Sequence, residues 1–123
     1  MTIAYWCILA AAMLPYLTVA AAKAAPGFNN STPRLWLEQL SGWRQRAYWA
    51  HQNAFEAFPP FAAGVIVAHL AHVAQGRIDA LAITFVVARI AYSVMYIADK
   101  AALRSLVWAV GMLCVLGLFI SAA

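Results

Sequence analysis

Residues 46–64 read RAYWAHQNAFEAFPPFAAG. No other long apolar stretch of the chain combines a carboxylate, an amide, a histidine and two prolines. Placed on a helix, Arg46, Asn53, Glu56, Pro60 and Gly64 follow one another at steps of seven, three, four and four. They therefore lie along one stripe, which Trp49, Ala50 and Ala57 extend. An acid at mid-bilayer costs about 2.5–3.5 kcal/mol on translocon scales and more by other estimates. Glu56 must then face something other than lipid, and the chain has to supply its partner.

The surroundings of that stretch set the fold class. Of 123 residues, 66% are hydrophobic and 10% charged, far from the roughly 25% charged residues of a soluble domain. Apolar stretches at about 3–22, 47–75, 78–98 and 103–121 have the lengths needed to cross a bilayer. The expectation is an all-α integral membrane protein, a four-helix bundle in which residues 1–123 form one domain. The pI of about 9.4 reflects orientation, since no nucleic-acid motif is present. Lys23, Arg34, Arg44, Arg46, Lys100 and Arg104 collect on one side and only Arg77 on the other. The positive-inside rule places loops 23–46 and 99–104 in the cytoplasm and both termini on the opposite side. The first span lacks a basic n-region and reads as a retained anchor. Cys7 and Cys114, both inside spans, read as small buried hydrophobes.

The long first loop offers Thr32 as N-cap and Pro33 as first residue of a short helix through LWLEQLSGW, whose apolar side suits a membrane surface. Pro15 is expected to bend the first span, and Pro59 and Pro60 to kink the second. His69 and His72, three residues apart, are either interfacial polar residues or ligands of a metal or haem; no third ligand accompanies them.

A second polar stripe runs along the third span: Arg89, Tyr92, Tyr96 and Asp99 recur at steps of three, four and three. At 1.5 Å per residue, Glu56 and Arg89 both lie about 15 Å from the cytoplasmic surface, and Asn53 and Tyr92 about 10 Å. The stripes are expected to meet level by level, with Glu56 paired to Arg89. Such a group is either a polar clasp for the bundle or a pocket for an anionic ligand, with Arg104 near its mouth.

RAYWAHQNAFEAFPPF, with its core of Ala50, Asn53 and Glu56, resembles the second helix of the MAPEG family, the membrane-associated proteins of eicosanoid and glutathione metabolism. ARIAYSVMYIADKAALRSLVW resembles the family's third and fourth helices, and GWRQRA its bacterial branch. The resemblance covers essentially the whole chain. It implies a homotrimer of the bacterial inner membrane with glutathione bound between subunits as co-substrate. By position, Asn53, Glu56, Tyr92 and Tyr96 fall on glutathione contacts, His51 on a further polar position of that site, and Arg104 on the arginine that stabilises the thiolate; Arg89 helps to position the tripeptide. Trp49 stands where some members carry an arginine, a loss that Arg46 one turn earlier can offset, and Ala57 where leukotriene-C synthase has a tyrosine. The implied activity is that of a glutathione transferase or peroxidase acting on apolar electrophiles or lipid hydroperoxides from the bilayer. The alternative is a non-catalytic lipid-binding or assembly subunit of the same fold.

Overall fold

The computed structural model describes residues 1–123. It contains helices α1 (Ile3–Lys23), α2 (Pro33–Glu38), α3 (Gly42–Leu70), α4 (Gln75–Ile97) and α5 (Ala101–Ala122). α1, α4 and α5 are each long and apolar enough to cross a membrane, with mean hydropathies of 1.8, 1.8 and 2.2. α3 is longer, at 29 residues, but its polar stripe keeps it out of that set. The chain is an integral membrane protein by these helices.

Element boundaries differ from expectation at the ends of the second span. α3 begins at Gly42, so Arg44 and Arg46 are already helical, and it stops at Leu70 rather than 75. The stop is a tight turn in which His72 takes φ 56. α2 is six residues long and ends at Glu38. Gly42 at φ 65 then sets the corner into α3, a conformation that costs glycine little. Pro33 opens α2, but Thr32 makes no side-chain capping bond. Both α1 and α3 run continuously through their prolines.

α1 packs mainly on α3 and α4 mainly on α5, with α3 and α4 in contact between them. The interior is built from Phe61 stacked on Phe85 at 3.9 Å between centroids, joined by Val65, Ile78 and Leu118. Gly64 lets α3 approach α5 closely: a Cβ there would meet Phe119 at 3.2 Å and Leu118 at 3.3 Å. Only 28 of 123 residues are buried. Leu17, Val87, Leu106, Leu113 and Ile120 all face outward, as expected where lipid replaces water as the solvent.

The end of the bundle remote from α2 is tied by polar groups. Asp79 Oδ1 accepts from the Ala4 amide at 2.9 Å and from Gln75 Nε2 at 2.8 Å, so α4 caps the first turn of α1. Thr2 Oγ1 accepts from the Tyr5 amide at 3.3 Å and lies 3.2 Å from His69 Nε2. His69 Nδ1 donates to the Val65 carbonyl at 2.8 Å, and its ring stacks on Tyr5 at 4.2 Å. His69 is thus engaged at both ring nitrogens.

Candidate functional site

Asn53 and Glu56 stand three residues apart on α3, so their side chains are neighbours on one face. Tyr92 and Tyr96 stand four apart on α4 and pack edge-to-face at 5.6 Å. Where the two faces meet, Trp49, Gln52, Asn53, Glu56, Tyr92 and Tyr96 line an open cleft of about 340 Å³. Arg89 lies behind it, 3% exposed.

The cleft is organised by a chain of hydrogen bonds. Arg89 Nη2 donates to Asn53 Oδ1 at 2.7 Å, and Asn53 Nδ2 donates to Glu56 Oε2 at 3.0 Å. A guanidinium only donates and a carboxylate only accepts, so these two neighbours leave the amide one orientation. The expected direct Glu56–Arg89 pair is therefore corrected: Asn53 stands between the charges and carries the coupling. The depth arithmetic matched backbones level by level, whereas the long arginine side chain reaches about one turn further. It also covers the face of Tyr92 at 4.2 Å, while its Nε has no partner.

Arg104, from the first turn of α5, lies over the ring of Tyr96 at 4.3 Å, outside the cleft lining but against it. Trp49 packs on the same tyrosine at 6.2 Å and 47°. One guanidinium thus stands over each tyrosine, a cation–π arrangement worth about 0.5–2 kcal/mol depending on solvation.

Two expected residues are directed elsewhere. Arg46 Nε donates to the Ile97 carbonyl at 3.0 Å and caps the last turn of α4. His51 Nδ1 donates to the Pro15 carbonyl at 2.7 Å, on the side of α3 that faces α1. It lies two residues from Asn53, about 200° around the helix, and cannot share its face. Gln52 was not among the expected site residues. Its signal was available: it lies one step, about 100°, from Asn53, within the angle that a wide cleft covers.

No curated protein and no solved structure matches the chain significantly. A family model does: over residues 3–123, essentially its whole length, the chain belongs to the MAPEG family.

Proposed function

We propose that the chain is a membrane-bound glutathione transferase or peroxidase acting on apolar electrophiles or lipid hydroperoxides. It would work as a homotrimer of four-span protomers in a bacterial inner membrane, with loops 23–46 and 99–104 cytoplasmic and residues 1–123 forming one domain. The observation that carries the reading is the convergence of Asn53, Glu56, Tyr92 and Tyr96 on one cleft, with Arg104 held against its wall.

The donor set suits the tripeptide in part. Glu56 can take its ammonium group, and the two phenols and the Asn53 amide can hydrogen-bond its polar backbone. No lysine or arginine lines the cleft, so carboxylates would depend on groups from a neighbouring copy closing the open side. Glutathione supplies a thiol, whose thiolate is the nucleophile. Arg104 would stabilise that thiolate by proximity of its positive charge. Arg89 would act through Asn53, holding the amide in the orientation that presents Glu56. The apolar outer surface would deliver the second substrate from the bilayer.

The second reading, a non-catalytic lipid-binding or assembly subunit, is favoured by one specific observation. The Arg89–Asn53–Glu56 chain uses both ends of the amide internally, as a structural clasp would.

The deciding experiment combines binding with chemistry. Glutathione should raise the melting temperature of the purified protein in detergent, since a ligand of the folded state stabilises it by mass action. Bound glutathione should show thiolate absorbance. Arg104→Leu should keep most of the thermal shift but lose that absorbance and most turnover of a chromogenic electrophile. Binding without a thiolate signal in the wild type would select the second reading.

A further inference from the structure

α3 and α4 flank the cleft, and the two hydrogen bonds that join them are both made by arginine side chains. Arg89 Nη2 on α4 donates to Asn53 Oδ1 on α3, and Arg46 Nε on α3 donates to the Ile97 carbonyl on α4 at 3.0 Å. Arg46 lies seven residues, about 10 Å, from Asn53 along α3. Trp49, Gln52, Tyr92 and Tyr96 line the cleft between the two bonds. The deep end is thus tied from α4, and the end near α2 from α3.

The Arg46 bond completes a corner. The chain leaves α4 through Asp99 at φ 59. The Lys100 amide donates to the Met95 carbonyl at 2.9 Å, and the Asp99 amide to the Tyr96 carbonyl at 3.1 Å. This pattern satisfies carbonyls of the last turn from the chain's own backbone. The Ile97 carbonyl comes next and takes its hydrogen from Arg46 instead. α5 starts at Ala101, and the Arg104 amide closes its first turn on the Lys100 carbonyl at 2.8 Å. Tyr96 and Arg104 stand on either side of this corner, and their contact at 4.3 Å crosses it. Whatever sets the corner against α3 therefore sets both groups against Asn53 and Glu56.

We propose that Arg46 is a positioning residue: its bond to Ile97 holds the α4–α5 corner against α3 and so keeps Tyr96 and Arg104 at the cleft. This role rests on the reading of the cleft as a glutathione site and deepens it. It replaces the one expected for Arg46, that of offsetting an absent ligand-binding arginine at Trp49. The donor is Nε, so the hold requires an N–H at that position and no positive charge. A glutamine side chain carries its amide nitrogen equally far from the backbone, whereas methionine has no donor. The side chain of Ile97 packs against the small core formed by Val19, Ala22, Leu37, Ala47 and Tyr48. Loss of the bond therefore loosens the corner without undoing the bundle. A shift of about 1 Å in a group that acts on the reaction lowers the rate by up to about a hundredfold.

Wild type, Arg46→Met, Arg46→Gln and Arg46→Lys are compared in detergent, by backbone hydrogen exchange without glutathione and by kcat, KM and thiolate absorbance with it. In Arg46→Met, exchange at the Asp99, Lys100 and Arg104 amides should rise about tenfold. Its kcat and thiolate absorbance should fall about tenfold, while KM for glutathione changes by less than about threefold. Arg46→Gln should match the wild type in every readout. If Arg46→Gln is as damaging as Arg46→Met while Arg46→Lys keeps wild-type turnover, the charge acts and the proposal is overturned. Unchanged exchange in Arg46→Met would also overturn it. If the wild type binds no glutathione, the glutathione reading falls and exchange alone decides for Arg46: a rise in Arg46→Met but not in Arg46→Gln supports its hold on the corner. If Arg46→Met does not fold, Arg46→Gln decides: wild-type exchange and turnover support the role, and loss of both overturns it.

Discussion

Replacing Asn53 should be the most damaging single change on the polar face of α3. Asn53→Ala removes the acceptor for Arg89 Nη2 at 2.7 Å and the donor to Glu56 at 3.0 Å. The two losses are unequal. Glu56 is exposed, so its bond is worth at most a few tenths of a kcal/mol to about 1 kcal/mol. Arg89 is 3% exposed and its Nε already lacks a partner. A hydrogen bond to a charged group contributes about 1.5–3 kcal/mol, and stripping a buried charge of its partner costs about 3–5 kcal/mol. The expected destabilisation is about 2–4 kcal/mol, a fall in melting temperature of roughly 10 °C at about 4 °C per kcal/mol. Glu56→Gln should cost under about 1 kcal/mol, because a glutamine oxygen can still accept from Asn53. Asn53→Asp should fall between them: it keeps an acceptor for Arg89 but sets two carboxylates side by side. Adding Glu56→Gln to Asn53→Asp should restore stability, since the new amide can donate to the new carboxylate. Melting curves of these variants in one detergent provide the assay. If Glu56→Gln is as harmful as Asn53→Ala, Arg89 depends on Glu56 directly and the bridging role of the amide is wrong.

Gly64→Ala should cost about 1–3 kcal/mol, as overpacking does, because the new methyl would sit 3.2 Å from Phe119; denaturation of the variant checks this, and no loss would mean that α5 yields freely. Asp79→Ala should cost about 1 kcal/mol, the worth of a capping carboxylate, with Asp79→Asn keeping most of it; hydrogen exchange at the Ala4 amide should rise in the alanine variant. A cysteine placed at Arg34 should resist an impermeant thiol reagent in intact cells, from the six-to-one distribution of basic residues; labelling there would reverse the orientation.

Much of the fold is legible because lipid makes one rule dominant: long apolar runs become helices that satisfy their own backbone. α1 is read to within a residue at Lys23, and α5 to within two at each end. The errors lie where that rule is silent. The residues after Leu70 are apolar enough to prolong a helix, but the chain turns at His72, a choice made by the packing of α4 and α1 around that corner. In the site, helical steps of three and four locate Asn53, Glu56, Tyr92 and Tyr96 on facing stripes. Arg46 shares the stripe yet spends its guanidinium on the Ile97 carbonyl. Long side chains choose among partners within reach, and periodicity records only where the Cβ starts. His51, a step of two from Asn53, points to the other side of α3 and spends Nδ1 on the Pro15 carbonyl, as helical geometry alone requires within one protomer.

The capping of α1 by Asp79 joins residues 75 positions apart and bears on the order of biogenesis. A ribosome releases α1 long before α4. The newly inserted first helix therefore begins with an amide whose intended acceptor has not yet been made. Its lipid-embedded body can form at once, with Thr2 holding the Tyr5 amide, but the Ala4 amide has no side-chain acceptor until α4 enters and brings the carboxylate to it. The closing of that contact is consequently a late event of assembly. A chain arrested before residue 79 would carry an anchor whose Ala4 amide lacks the acceptor it has in the folded protein.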